Sequence, residues 1–183
     1  MDRDQAWALL NEYTKNPALI KHALAVEAAM KAYARQYGED ETVWGIIGLL
    51  HDFDYERYPT REDHPARGAE VLRGLGVSED WIRTILSHTP YTGVPRDTQV
   101  AKVLFAVDEL CGFLTACALV RPDKRIATVE VASVRKKMKQ KAFAAQVSRE
   151  EITAGAEQLG VDLDAHIAMV RDAMAGIAGE LGL

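Results

Sequence analysis

An all-helical fold is what this 183-residue sequence predicts, on two observations. Apolar residues recur at helical spacing along almost the whole chain, and no run alternates apolar and polar residues between turn signals for long enough to make a strand. Helix start and stop residues also stand in order where each apolar stripe begins or ends. The length fits a single domain over 1–183, with a core at about 18–120 and a helical extension at about 121–183.

The first helix is expected over Asp4 to Tyr13. A second opens after Asn16, with Pro17 in its first turn where a missing N–H costs nothing, and stops at Gly38. Gly38-Glu39-Asp40 launches a third that carries Trp44, Ile47 and His51 on one face. It loosens before Pro59, because proline pushes Tyr58 away from helical geometry. After a polar loop at 54–63, Asp63-His64-Pro65 starts a fourth with Pro65 at its first position, ending near Gly74 to Gly76. Ser78 caps a fifth through Trp81, Ile85 and His88. A turn-rich segment follows, then a long apolar helix from Thr98 to Val120, closed by Arg121-Pro122. A short helix with a basic end (SVRKKMKQKAF), one started by the Ser148 capping box, and a closing helix from Leu163 to Leu181 complete the chain.

Composition excludes several classes. Hydrophobic residues at 48% and charged residues at 27% describe a globular chain, and the net charge of −5 gives no general attraction to nucleic acid or an anionic membrane. The N-terminal MDRDQAWALLNEYTK is charged and amphipathic, without the features of a secretory signal, so a cytoplasmic location is expected. No apolar run reaches the length of about 20 residues that spans a bilayer. Cys111 and Cys117, six residues apart on different helical faces, read as small core hydrophobes in a reducing compartment.

Against this pattern, several polar groups fall on apolar faces. His22 shares a stripe with Val26, Ala29 and Tyr33; His51 ends the stripe of Trp44 and Ile47; His88 continues Trp81 and Ile85. Asp108 interrupts Ala101, Leu104, Cys111 and Thr115 in the most hydrophobic helix, where an unpartnered carboxylate is costly. A lone inward histidine is ordinarily satisfied by a backbone or side-chain hydrogen bond. Four inward groups, His22, His51, Asp52 and Asp108, instead match the mixed nitrogen and oxygen donors with which a helical bundle holds a divalent cation. Such donors suit Mn, Fe, Co, Ni, Zn or Mg, without choosing among them.

The order His, then His-Asp, then Asp over an all-helical chain resembles the HD domain superfamily of metal-dependent phosphohydrolases, on His22, His51-Asp52 and Asp108. His64 in His64-Pro-Ala-Arg-Gly68 and His88 in Leu-Ser-His88-Thr stand where HDIG-type members place additional ligands. The chain departs from that signature at Phe53-Asp54, where it has Ile-Gly. The C-terminal third, from SVRKKMKQKAFAAQVSREEI onward, is similar to that of small bacterial HDIG-type predicted hydrolases. The resemblance implies a helical HD-domain bundle with additional C-terminal helices. It implies hydrolysis of a small, nucleotide-like phosphate ester by a metal-activated water, with one or two divalent ions. With two ions, Asp52 lies between them and His64 and His88 serve the second. With one, His64 and His88 contact the phosphate or leaving group. A metal-stabilised ligand-binding domain without turnover is the alternative.

Neighbouring groups complete the expected site. Asp54, two residues past the doublet, is a candidate to orient water or act as a base, against a solvated helix-end carboxylate. Arg67, one turn from His64, is a candidate for the substrate phosphate, against a surface arginine. Glu109 points some 100° away from Asp108 and reads as a supporting or ion-pairing residue. Lys136, Lys137 and Lys139 form either a solvated face or a phosphate clamp over the metal site. Nucleic acid is the weakest reading of that cluster, since no aromatic surface accompanies it. Tyr55, Arg57, Tyr58, Tyr91 and Arg96, in loops flanking the ligands, are the expected substrate-facing walls. His166, near Asp162 and Asp164, is given no function.

Overall fold

The computed structural model of the protein describes residues 1–183 and contains helices and no strand. In order they are α1 (Arg3–Tyr13), α2 (Pro17–Tyr37), α3 (Glu41–Leu50), α4 (Ala66–Gly74), α5 (Glu79–Leu86), α6 (Gln99–Leu119), α7 (Val131–Met138), α8 (Arg149–Leu159), α9 (Leu163–Ala175) and α10 (Ala178–Leu181). Most starts are capped by the side chains expected at such positions. Asp2 accepts from the Gln5 N–H in a reciprocal capping box, Asn16 from Ala18, Asp40 from Thr42 and Val43, Thr98 from Ala101, and Ser148 from Glu151. Gly38 ends α2 in the left-handed region, at φ 72°.

Several boundaries differ from the sequence expectation. His51 is the C-cap of α3, and residues 51–57 continue as turns, so the helix ends well before Pro59. Pro65 occupies the N-cap of α4 rather than its first position. His88 lies two residues beyond α5, where the Ser87 hydroxyl donates to Thr84 O at 2.7 Å and Thr89 precedes Pro90, which disfavours continuing the helix. The basic helix stops at Met138, and the closing helix breaks at Gly176.

One apolar cluster runs from Ala6 to Leu181. At its centre α6 packs against α2, α5, α8 and α9, while α2 also packs along α3. Gly48 permits the α2–α3 approach, since a Cβ there would lie 2.8 Å from Met30 Cγ and 3.1 Å from Val26 O. Each fully buried side chain in this cluster, such as Leu104, Leu110 or Phe113 of α6, stabilises the fold by about 1.5–3 kcal/mol relative to exposure. This arrangement brings the N-terminal half of α2, the end of α3 and the middle of α6 together, and those segments carry His22, His51 and Asp108.

His166 has the ordinary structural role that buried histidines usually have. It is 1% exposed, with Nδ1 2.6 Å from Tyr33 Oη and Nε2 3.0 Å from Ala106 O. A carbonyl only accepts, so Nε2–H donates to Ala106 and the Tyr33 hydroxyl donates to Nδ1. Burial outweighs the Ala106 hydrogen bond and lowers the His166 pKa from its ordinary value. The folded value therefore lies below the unfolded one of about 6.5, and this contribution to stability is present above that pH. It is lost as pH falls through the lowered folded value. In denaturant titrations across this window, wild type is expected to lose stability that His166→Gln does not lose. Parallel pH profiles for the two proteins would contradict it.

Candidate metal centre

Four imidazoles and two carboxylates converge where α2, α3, α6 and the loops after α3 and α5 meet. His22 Nε2 lies 3.0 Å from Asp108 Oδ1, and His51 Nε2 lies 3.4 Å from the same oxygen. Asp52 faces both ways: Oδ2 is 3.7 Å from His51 Nε2, whereas Oδ1 is 3.1 Å from His64 Nε2 and 3.0 Å from His88 Nε2. Two groups result, His22/His51/Asp108 and Asp52/His64/His88, with the donor atoms of each within 4.8 Å of one another.

Three of the histidines are held from behind. His51 Nδ1 is 2.7 Å from Gly48 O, His88 Nδ1 is 2.6 Å from Ile85 O, and His64 Nδ1 is 2.8 Å from Asp54 Oδ1. Those acceptors fix Nδ1 as the donor and aim Nε2 inward, the arrangement that orients histidine toward a metal. The turn carrying the doublet is anchored in turn by the Thr14 hydroxyl, which donates to Phe53 O at 2.8 Å. His51 is fully buried and its Nε2 has no hydrogen-bond partner. A cation fits this orphaned atom and the nitrogen and oxygen donors around it, and it would compensate groups that burial otherwise penalises.

Residues 19–112, more than half of the chain, match the family model described as HD domain. The chain belongs to the HD domain family. HD domains are metal-dependent phosphohydrolases as a superfamily, and the two donor groups of this HD domain can hold divalent metal. No solved structure matches the chain. None of its helices is long and apolar enough to cross a membrane.

Asp54 lies behind His64. It is 1% exposed, its Oδ1 is engaged by His64 and its Oδ2 accepts from the Gly68 N–H at 2.8 Å. Gly68 leaves the room for this: a Cβ there would lie 2.7 Å from Asp54 Cγ. Buried and engaged at both oxygens, Asp54 is not a solvated helix-end carboxylate; it holds the His64 imidazole from behind. Arg67 is exposed and paired with Asp63 at 3.3 Å and Glu70 at 3.1 Å. Lys137 lies over Phe143, 4.3 Å from the ring centroid, and Phe143 meets Phe113 of α6 edge-on at 5.5 Å. Phe113 is five residues beyond Asp108, which turns it about 140° around α6 from that carboxylate. Lys136 and Lys139 share that end of the molecule, where the basic run forms the last turn of α7.

Among the expected walls, Arg57 stacks over Tyr13 and donates to Glu12 O, and Arg96 stacks over Phe105 and donates to Ser87 O. Both are committed to the scaffold. Tyr55 meets His64 edge-on at 5.3 Å, and the Tyr91 hydroxyl donates to His64 O at 3.1 Å, so these tyrosines do flank the centre. On the His22 side a cavity of about 410 Å³ opens between Pro17, Lys21, Gly112, Thr115 and Leu119. Glu109 accepts from the Ser148 N–H at 2.8 Å, and burial followed by the charge of Asp108 pushes its pKa up to about 7. Burial, followed by the charge of Asp108, raises the pKa of Glu151 of α8 from its ordinary value. Sequence reasoning passed over Glu151. Its only signal was the third position of the Ser148 capping box, which explains a helix start and nothing more.

Electrostatics set a proton inventory. Burial opposes protonation of His51, but the Asp52 and Asp108 carboxylates outweigh it and push the pKa up to about 9. Burial is likewise outweighed at His64 by hydrogen bonds to Asp52 and Asp54, again to about 9. Asp52 and Asp108 are held well below the usual carboxylate range: burial opposes this, and the facing histidines win. Both raised histidines are therefore protonated in the metal-free protein at neutral pH and must lose those protons to become ligands. Titrating Mn²⁺ calorimetrically at pH 7, in buffers of different ionisation enthalpy, is expected to show release of roughly two protons, with affinity rising toward pH 9. Buffer-independent heats would contradict this inventory.

Proposed function

We propose that this HD domain is a cytoplasmic phosphohydrolase of the HDIG-type group, cleaving a small, nucleotide-like phosphate ester with two divalent ions held by its two donor groups. The observation that carries this reading is Asp52, which turns one oxygen toward each group. Divalent ions, when bound, supply positive charge against phosphoryl oxygens and acidify water.

The chain's own residues supply the positioning. Carbonyls of Gly48 and Ile85, and the Asp54 carboxylate, hold three imidazoles in one orientation, so the site is ordered before substrate arrives. Asp108 draws His22 and His51 together across α2, α3 and α6. Leu50 and Phe53, on either side of the His51-Asp52 doublet, and Ile85, whose carbonyl holds His88, are buried. The face that remains open runs past Tyr55 and Tyr91 on one side and toward the cavity beside His22 on the other. This shape suits a phosphate group carried on a small organic moiety. In place of the Ile-Gly of the HDIG signature, Phe53-Asp54 contributes a core side chain and the partner of His64, which leaves the donor set intact.

The test is metal-dependent hydrolysis of p-nitrophenyl phosphate and a panel of nucleotides and sugar phosphates by purified protein. Turnover that chelator removes and added metal restores is the expected result. A protein that binds metal and hydrolyses no phosphoester on the panel would instead be a ligand-binding domain.

A further inference from the structure

The loop between α3 and α4 leaves one arginine uncommitted beside the metal centre. Arg61 is exposed, donates no hydrogen bond and forms no ion pair; its guanidinium lies over Tyr91, 5.4 Å from the ring centroid. The other arginines around the centre are occupied: Arg57 by Glu12 O and Tyr13, Arg67 by Asp63 and Glu70, Arg83 by Asp97, and Arg96 by Ser87 O and Gln158. Stacking on a ring face uses none of the five guanidinium N–H donors, so Arg61 keeps all of them for a ligand.

Its position is fixed on both sides. The His64 N–H donates to Thr60 O at 2.9 Å and the Thr60 hydroxyl donates to Asp63 at 3.0 Å, which makes residues 60–64 a tight turn holding Arg61 three residues before His64. Tyr91, the ring under the guanidinium, donates its hydroxyl to His64 O. Arg61 and the backbone of His64 thus meet the same Tyr91, the guanidinium over its ring and the carbonyl at its hydroxyl. Tyr55, which meets the His64 imidazole edge-on, is 40% exposed and Tyr91 is 43% exposed, so both rings are open to a ligand.

We propose that Arg61, carried on Tyr91, is an anion-binding arm beside the Asp52/His64/His88 group, and that the substrate bears a second anionic group next to the phosphorus that reacts. A diphosphate meets that requirement, as does a phosphate next to a carboxylate. The inference rests on the proposed phosphohydrolase function and narrows its substrate class. It also makes Arg61 a specificity residue, since a guanidinium fork recognises two oxygens at once where a lysine offers a point charge.

Three non-hydrolysable probes test it by calorimetry on Mn²⁺-loaded protein at matched free metal: methylphosphonate, methylenediphosphonate and phosphonoacetate. Wild type is expected to bind methylenediphosphonate about tenfold or more tighter than methylphosphonate, the range of a charge-assisted hydrogen bond. Arg61→Ala removes that margin while changing the methylphosphonate Kd by less than about twofold, and Arg61→Lys retains part of the margin. A margin for phosphonoacetate too supports an arm that accepts carboxylate; a margin for the diphosphonate alone supports one selective for phosphate. The same margin in wild type and Arg61→Ala overturns the proposal, as does no margin in wild type, provided metal-dependent methylphosphonate binding persists. Loss of all metal-dependent phosphonate binding in wild type overturns the phosphohydrolase reading itself.

Discussion

Asp52→Ala is expected to abolish turnover, by about 10³-fold or more, while the helical content stays that of wild type. Asp52 is the only carboxylate that faces both donor groups, and its removal leaves the His64 and His88 Nε2 atoms without their acceptor. The histidines themselves remain anchored through Nδ1 to Ile85 O and Asp54, so the scaffold around the vacancy survives. Metal content measured by elemental analysis is expected to fall to at most one equivalent. Full metal loading with wild-type turnover in Asp52→Ala would mean that the carboxylate merely satisfies buried histidines. Circular dichroism separates either result from simple unfolding.

The second large effect belongs to a residue that touches no metal donor position directly. Asp54→Ala is expected to weaken metal affinity or activity by about 10- to 100-fold, the usual cost of removing a hydrogen-bond partner behind a histidine ligand. It also leaves the buried Gly68 N–H unpaired, which costs about 1–3 kcal/mol of stability. A general base behaves differently: its loss lowers kcat at unchanged metal affinity. Gly68→Ala gives an independent check, because the added Cβ would lie 2.7 Å from Asp54 Cγ and displace a chemically intact carboxylate. The two variants are expected to share the weakened metal binding. A kcat defect in Asp54→Ala with unaltered metal affinity would return Asp54 to the role of base.

The helical layout was legible because its signals are local. Asn16-Pro17, Asp40, Thr98 and Ser148 each act on backbone within three residues, and an apolar stripe reports the face a helix buries. His22 and Asp108 were legible for the same reason, as polar groups interrupting such stripes. Even His88 kept the expected direction although α5 ends two residues before it. What stayed hidden depends on contacts between distant segments. Asp54 reads as a polar residue in a polar loop, and only the packing of Gly68, fourteen residues on, buries it. Glu109 and Ser148 meet across α6 and the α8 start, which no spacing rule reveals. The lysine run is conspicuous as charge, yet charge alone does not say which end of α6 it covers. Arg61 was invisible for the opposite reason, since what marks it out is the pairing of every arginine near it.

The proposed two-ion centre is tested most directly by equilibrium dialysis of the purified protein against Mn²⁺, with metal quantified per chain and read beside any phosphatase activity. Two equivalents are expected, the second bound in step with the appearance of turnover, and Asp52→Ala retaining at most one. One equivalent that excess metal cannot raise, with full activity, would contradict a centre built from His22/His51/Asp108 and Asp52/His64/His88.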